Sequence, residues 1–341
     1  MDIFDTRTML EAVEQMHAPS TFLLRAFFNG SATFPTKTVD IDIVKGGRKL
    51  APFINPQVSG GAEKRDGYKS STYTPPYVKP KFVTTADQFF KRQAGQNPYA
   101  TVSAAERAAQ QLGKDLAELN NRITNREEWM AAKALTTGKI MVEGEGVKDE
   151  IDFLMPAENK IVLATKQWGS KDANPIENLR KWKRQAQQAS GRSVTTAVLD
   201  AAAYDALLTT PSFLEQLNTR RIDLGFIKPE ELPEGVTYIG YLNDPGLDLY
   251  AYDGSYIDDQ TGNLTPYLDE GRVIMGPTVS ANKRLYGAIQ DLGAIEQGAI
   301  ETARFPKTWI ENDPSRRLLQ VISAPLVALL EGNAFISAKV V

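Results

Sequence analysis

An α+β fold follows from three features of the sequence. Residues 101–136 carry apolar side chains mostly at alternating three- and four-residue spacing (Ala105, Ala109, Leu112, Leu116, Leu119, Ile123, Met130, Ala134), the mark of one long amphipathic helix. Around residues 38–44 the period changes to two, with Val39, Ile41 and Ile43 alternating with Thr38, Asp40 and Asp42, as in a half-buried strand. From about 166 to 298, short strand-like and helix-like runs mix as they do in a compact α+β unit.

Residues 5–16 read as a short amphipathic helix capped by Asp5, with Met9, Leu10, Val13 and Met16 on one side and Pro19 beyond its end. FLLRAFF at 22–28 is a second apolar patch. Two readings stay open for both: helices of the chain's own core, or an arm that docks on a neighbouring chain.

After the strand at 38–44, Gly46-Gly47 breaks the pattern, and LAPFI and QVS resume extended character around Asn55-Pro56. SGGAEKRDGYKSS at 59–71 is turn-rich and charged. TYTPPYVKPK at 72–81 is stiff and extended, because Pro75, Pro76 and Pro80 sit among strand formers yet donate nothing to a ladder. Residues 36–83 therefore make two extended limbs joined at a tip, with few large apolar side chains. Such a hairpin is marginal alone and needs something to lie on.

The long helix has Ser103 and Glu106 as a capping pair and Gly138 as its stop. At 1.5 Å per residue it is about 54 Å long, a spine rather than a packed core element. Gly113 inside it costs about 1 kcal/mol against alanine and offers a place to bend. GKIMVEGEGV and EIDFLMP predict a β-hairpin, IVLAT at 161–165 a further strand, and residues 175–189 a helix with Asn174 as N-cap, Pro175 first and Glu177 third. VTTAVLD, VTYIGYL, LDLYAYDG, RVIMG and KRLYGAIQD read as strands, AAAYDALL and SFLEQL as helices, and the last forty residues as mostly extended.

Composition removes most familiar chemistries. With 42% hydrophobic and 24% charged residues the chain is ordinary for a globular protein, and a net charge of −3 gives no excess of cations to hold it on nucleic acid or an anionic membrane. It has no cysteine and a single histidine, His17, which excludes disulfides, thiolate nucleophiles, cysteine zinc sites and multi-histidine metal sites. No apolar run of 18 residues exists and the N-terminus is acidic, so neither membrane insertion nor export is expected.

The remaining motifs read as structure. GEGV at 144–147 is a hairpin turn and not a phosphate loop, and YIDDQTGN, with Asp258 and Asp259, is a surface loop and not a calcium loop. Carboxylate pairs drawn from Glu143, Glu145, Glu150 and Asp152 have no fixed separation. Arg180, Lys181, Lys183 and Arg184 circle a helix around Trp182, so a solvated helix with Trp182 and Leu179 inward is expected; Trp129 and Trp309 read as packing residues and His17 as a surface or interface residue. No catalytic constellation emerges, and no cofactor site.

INPQVSG (54–60), TPPYVKPK (74–81), NTRR (218–221), YGAIQD (286–291), ARFPKTW (303–309), NDPSR (312–316) and SAPLVALL (323–330) carry a resemblance that spans almost the whole chain in order. The order of parts resembles the Hong Kong 97 capsid fold of tailed bacteriophages and herpesviruses, and the local match is to major capsid proteins of the bacteriophage lambda head protein E family. The resemblance implies an N-terminal arm at 1–34, an E-loop at 35–93, a P-domain with the spine helix at 94–165, an A-domain at 166–298, a P-domain return with its P-loop at 299–322, and C-terminal strands back to the A-domain at 323–341.

It also implies a non-enzymatic function: self-assembly as hexamers and pentamers into an icosahedral head around double-stranded DNA, with scaffold, portal and a decoration protein as partners. The inter-subunit contacts it points to are Arg65, Asp66, Tyr68 and Lys69 at the E-loop tip, Phe22, Leu23, Phe27 and Phe28 on the arm, and Asp313, Arg316 and Arg317 at the P-loop. TYTPPYVKPK would then find its main partner in another copy. Lys64 or Lys69 and Asn312 lie where some members of the fold crosslink, but the lambda-like branch implies decoration proteins instead. The rival readings are an encapsulin-like cargo shell and a carboxylate-based glycan hydrolase or binding protein.

Overall fold

The computed structural model describes Met9 and residues 21–44, 68–85, 104–144, 146–213, 225–232, 235–258 and 261–341. An arm helix, Phe22–Phe27, leads into strand β1 (Gly30–Thr33) and then into a two-stranded antiparallel ribbon, β2 (Val39–Val44) with β3 (Tyr68–Tyr73). Strand β4 (Lys81–Thr85) precedes the long helix Ala104–Thr137, 34 residues. Gly138, at φ +71° with its N–H on the Ala134 carbonyl at 3.0 Å, ends that helix in the left-handed conformation glycine allows. The hairpin β5 (Lys139–Gly144) and β6 (Val147–Asp152) turns at Gly146, φ +74°, as the GEGV motif requires.

Strand β7 (Lys160–Val162) opens the sheet domain. Helix Pro175–Ser190 begins as its sequence predicts, with Asn174 accepting the Glu177 N–H and Pro175 in the first turn. There follow β8 (Thr196–Leu199), helix Ala201–Thr209, β9 (Gly225–Leu232), β10 (Val236–Leu242), β11 (Leu247–Tyr252), a small hairpin β12 (Ser255–Ile257) and β13 (Leu264–Pro266), β14 (Arg272–Gly276) and β15 (Lys283–Tyr286). The chain then passes through helix Leu292–Glu296 into the hairpin β16 (Phe305–Asn312) and β17 (Ser315–Ile322), and returns by β18 (Pro325–Ala328) to end in β19 (Ile336–Lys339).

Seven strands form the central sheet, in the order β7-β19-β14-β8-β11-β10-β9. Its alternation sends side chains to two cores. On one face Leu199, Leu249, Val273 and Met275 pack under the helices 175–190 and 201–209 through Ile176, Leu179, Trp182, Ala203 and Leu207. Trp182 is buried, stacked on Trp168 at 6.2 Å, and Leu179 is buried with it, as expected; of the basic residues around them Lys181 and Arg184 are exposed, whereas Arg180 pairs with Asp244 and Lys183 donates to the Pro245 and Gly246 carbonyls. On the other face Val198, Tyr252 and Ile274 meet the arm helix and the C-terminal half of the long helix through Met130, Ala131 and Leu135.

The N-terminal half of the long helix serves a separate core, where Leu112, Leu116, Leu119 and Ile123 pack on Leu319 and Val321 of β17 and on Met9. One helix thus spans two cores, which is why its apolar stripe runs far beyond the needs of a single domain.

Two expectations change. The FLLRAFF segment belongs to the chain's own core: Phe22 is 7% exposed, and Leu23, Phe27 and Phe28 are 0% exposed. These four side chains offer a neighbouring copy no surface, because their apolar area is already spent against the long helix and the sheet. TYTPPYVKPK likewise lies on its own chain. Val78 and Ser323 exchange backbone hydrogen bonds at 2.9 and 3.0 Å, the Val321 N–H reaches the Pro80 carbonyl at 3.2 Å, and β4 then pairs with β17. Its prolines fit because the segment follows β17 as a single bridge, Val78 to Ser323, where few N–H donors are needed before the ladder begins at Lys81.

Candidate functional site

For this chain the candidate site is a set of surfaces. The ribbon β2–β3 is rooted at its base: Val39 is buried, the Tyr73 hydroxyl donates to the Asp152 carbonyl at 2.6 Å, and the Tyr73 ring lies 6.1 Å from Phe153. Beyond that root the ladder pairs Ile43 with Lys69 and Val44 with Tyr68 and, among the described residues, gains no third strand. Tyr68 and Lys69 are therefore placed on the outer end of β3, while Arg65 and Asp66 lie outside the described residues, as does Lys64.

The hairpin β16–β17 places the second group. Asn312 pairs with Ser315, so Asp313 and Pro314 form the turn, and Asp313 is exposed at the tip. Glu311 and Arg316, opposite each other in the ladder, form an ion pair. Arg317 points to the other face of the hairpin, at a crevice lined by Thr84, Leu112, Asp115 and Leu319 between sheet and long helix. Asp313 and Arg316 stand at the end of the hairpin, whereas Arg317 belongs to its packing against the helix.

The third group concerns how these surfaces are held. Arg304, in the segment entering β16, reaches the long helix with its guanidinium 2.7 Å from Glu127 and 3.0 Å from the Asn120 side-chain oxygen, and also donates to the Ser323 hydroxyl at 3.0 Å. Burial pushes the Arg304 pKa down, but the Glu127 carboxylate and the Tyr286 phenol together outweigh it and raise it above the ordinary value. Burial, with the Glu127 charge second, raises the Tyr286 phenol beside this pair to about 12. Nothing in the sequence singles out Glu127 and Glu128, yet the two residues are 2% and 0% exposed. Only their long-range partners, Arg304 among them, make that burial tolerable.

The carboxylates of the hydrolase reading are committed elsewhere. Glu150 and Asp152 both pair with Lys139, Glu143 lies 3.9 Å from Lys148, and Glu145 is outside the described residues. Among the described residues no group of three metal-ligating side chains forms, and no helix is long and apolar enough to cross a membrane. The loop carrying Asp258 is the turn of the β12–β13 hairpin, whose opposed Ile257 and Leu264 are 68% and 71% exposed. That exposed apolar pair had no sign in the sequence, since one apolar residue on each side of a polar loop is also the pattern of a buried hairpin.

The model of the family described as phage major capsid protein E matches residues 5–340. A prophage-derived major head protein of Escherichia coli O6:H1 strain CFT073 is 30% identical over 345 aligned residues, covering 100% of both chains. The major capsid protein of Escherichia phage lambda is 28% identical over 344, covering 99% of both. A crystal structure of a prophage capsid protein from E. coli CFT073 superposes with a TM-score of 0.73 at 26% identity, over 99% of each chain. A phage-related protein from Bordetella bronchiseptica RB50, 12% identical with a TM-score of 0.54 over 98% of this chain and 96% of that one, shares the fold.

The fold is thus the Hong Kong 97-like fold of phage capsid proteins, as the resemblance implied, and the hydrolase and cargo-shell readings give way to a structural, non-enzymatic role in the shell of a phage or prophage head. The chain belongs to the phage major capsid protein E family.

Proposed function

We propose that this major capsid protein assembles as hexamers and pentamers into an icosahedral head around double-stranded DNA, with each β2–β3 ribbon lying across a neighbouring copy. The observation that carries the reading is the ribbon itself, a two-stranded ladder with both outer edges unpaired among the described residues. Two strands alone are marginal in water, and an exposed edge is a template for another chain. A second copy laid along the ribbon supplies buried area and backbone partners together.

In this reading the boundaries at 34, 93, 165, 298 and 322 divide arm, ribbon loop, peripheral and axial parts. Arg65, Asp66, Tyr68 and Lys69 meet the neighbour at the loop tip, and Asp313 and Arg316 act at contacts around the end of the β16–β17 hairpin, with Arg317 holding the hairpin on its own long helix. Scaffold, portal and decoration proteins are the further partners, and assembly takes place in the host cytoplasm before the chain resides in the virion. The modest net charge of −3 suits a container, because a wall that held phosphates tightly would slow packaging and ejection of a genome.

Deleting residues 60–70 tests the reading. The expected products are soluble capsomers or monomers that do not close shells. Normal particles in electron micrographs of the deletion would remove the ribbon tip from the assembly interface.

A further inference from the structure

The arm helix Phe22–Phe27 has six residues, too few to persist as an isolated helix in water. Thr21 occupies its N-cap position in extended conformation, φ −122° and ψ 118°, yet the Thr21 side chain makes no capping hydrogen bond. The amides at the start of the helix are taken by a residue from the middle of the long helix. Glu128 accepts the Leu23 N–H on Oε1 at 2.8 Å and the Leu24 N–H on Oε2 at 3.0 Å. Oε1 also accepts the Tyr252 hydroxyl, from the sheet domain, at 2.9 Å. Glu128 is 0% exposed, and Phe22 sits over the same junction with its ring 5.2 Å from Tyr250 and 5.6 Å from Tyr252.

We propose that Glu128 is a positioning residue, a helix cap supplied from a distant helix, which makes the folding of the arm conditional on the register of the long helix. A carboxylate is a strong cap for these amides, because it matches both the free N–H groups and the positive end of the helix in a site closed to solvent. The cap is also geometrically exacting. Advancing the long helix by one residue moves the carboxylate by about 1.5 Å along the axis and turns it by roughly 100°, away from both amides. Whatever bends, slides or rotates the long helix near residue 128 therefore releases residues 22–28 and uncovers Phe22 and Phe27. The arm reports the state of the helix.

Hydrogen–deuterium exchange on the full chain tests this with Glu128→Gln. The amide is isosteric, but its NH2 group faces an N–H donor where the carboxylate faced it with an acceptor. The expected result is an at least tenfold faster exchange confined to residues 22–28, with Thr196–Leu199 in the central sheet unchanged. Wild-type protection of 22–28, or equal loss in 22–28 and 196–199, would overturn the proposal, the second because it marks a general loss of stability.

Adding Thr21→Asp to the variant places a carboxylate at the helix's own N-cap, and protection of 22–28 is expected to return; no recovery overturns the capping account. If the Gln chain does not fold, Glu128→Asp, which keeps the charge and shortens the reach, is read by the same pattern and the same overturning results.

Discussion

Arg304 and Glu127 form an ion pair at 2.7 Å with side chains 12% and 3% exposed, and this pair ties the segment entering β16 to the middle of the long helix. Such a pair is close to neutral against a hydrophobic replacement, but removing one partner leaves the other charged and dry. Glu127→Ala is expected to destabilise the subunit by about 3–5 kcal/mol, and the double change Glu127→Met with Arg304→Met by less than the single one. Urea denaturation of the wild type and the two variants measures both. A double variant as unstable as Glu127→Ala would show that the pair contributes more than the removal of an orphaned charge explains.

The same pair shows where sequence reading stops. Periodicity located the long helix to within a few residues, because the 3.6-residue repeat is a local property that every turn restates, and the Asn174 cap and the Gly138 stop were equally local. Glu127 and Glu128 could not be recognised as buried, since their partners lie at residues 304, 252, 23 and 24. Phe22, Leu23, Phe27 and Phe28 were read as apolar correctly but assigned to the wrong side of the molecular boundary. An apolar stripe says that a face is covered, and nothing in it says by which chain. TYTPPYVKPK divides the same way, its extended conformation being legible and its pairing along its own β17 being nonlocal.

Asp291 gives the subunit a defined acid response. Its carboxylate caps helix Leu292–Glu296 by accepting the Gly293 N–H at 2.9 Å and takes the Lys307 ammonium at 2.8 Å. Burial pushes its pKa up, but Lys307 and the helix amides outweigh burial and hold it below the ordinary 3.8. A carboxyl depressed in the folded chain contributes stability that is present above 3.8 and disappears as the pH falls through the folded value. Asp291→Asn is therefore expected to lower the melting temperature near neutral pH, with the gap to wild type closing below that range. A gap that stays constant down to full protonation would contradict the assignment.

Tyr77 anchors the proline-rich segment. Its hydroxyl donates to the Ala288 carbonyl and accepts the Gln290 N–H at 3.0 Å, while Pro75 packs so closely on Gly287 that a Cβ there would lie 3.0 Å from the proline ring. Tyr77→Phe keeps the ring and leaves both backbone groups short of a partner, at an expected cost of about 1–2 kcal/mol. Equilibrium unfolding of the isolated subunit is the measurement. An effect seen only on shell assembly, with unchanged subunit stability, would return this segment to the interface with a neighbouring copy.

Gly113 lies within the long helix, in the half that packs on β17, and a Cβ added there meets nothing within 4 Å. No close approach or left-handed conformation at this position demands glycine. What glycine does there is lower helix propensity, by about 1 kcal/mol relative to alanine. Gly113→Ala is expected to raise subunit stability by roughly 0.5–1 kcal/mol, through a smaller loss of backbone entropy on folding. Thermal unfolding checks the sign. The same substitution separates two uses of the residue: if the glycine is a point of bending that the shell needs, the stabilised variant assembles poorly despite its sounder subunit, and if it is merely tolerated, particle yield in electron micrographs follows stability upward.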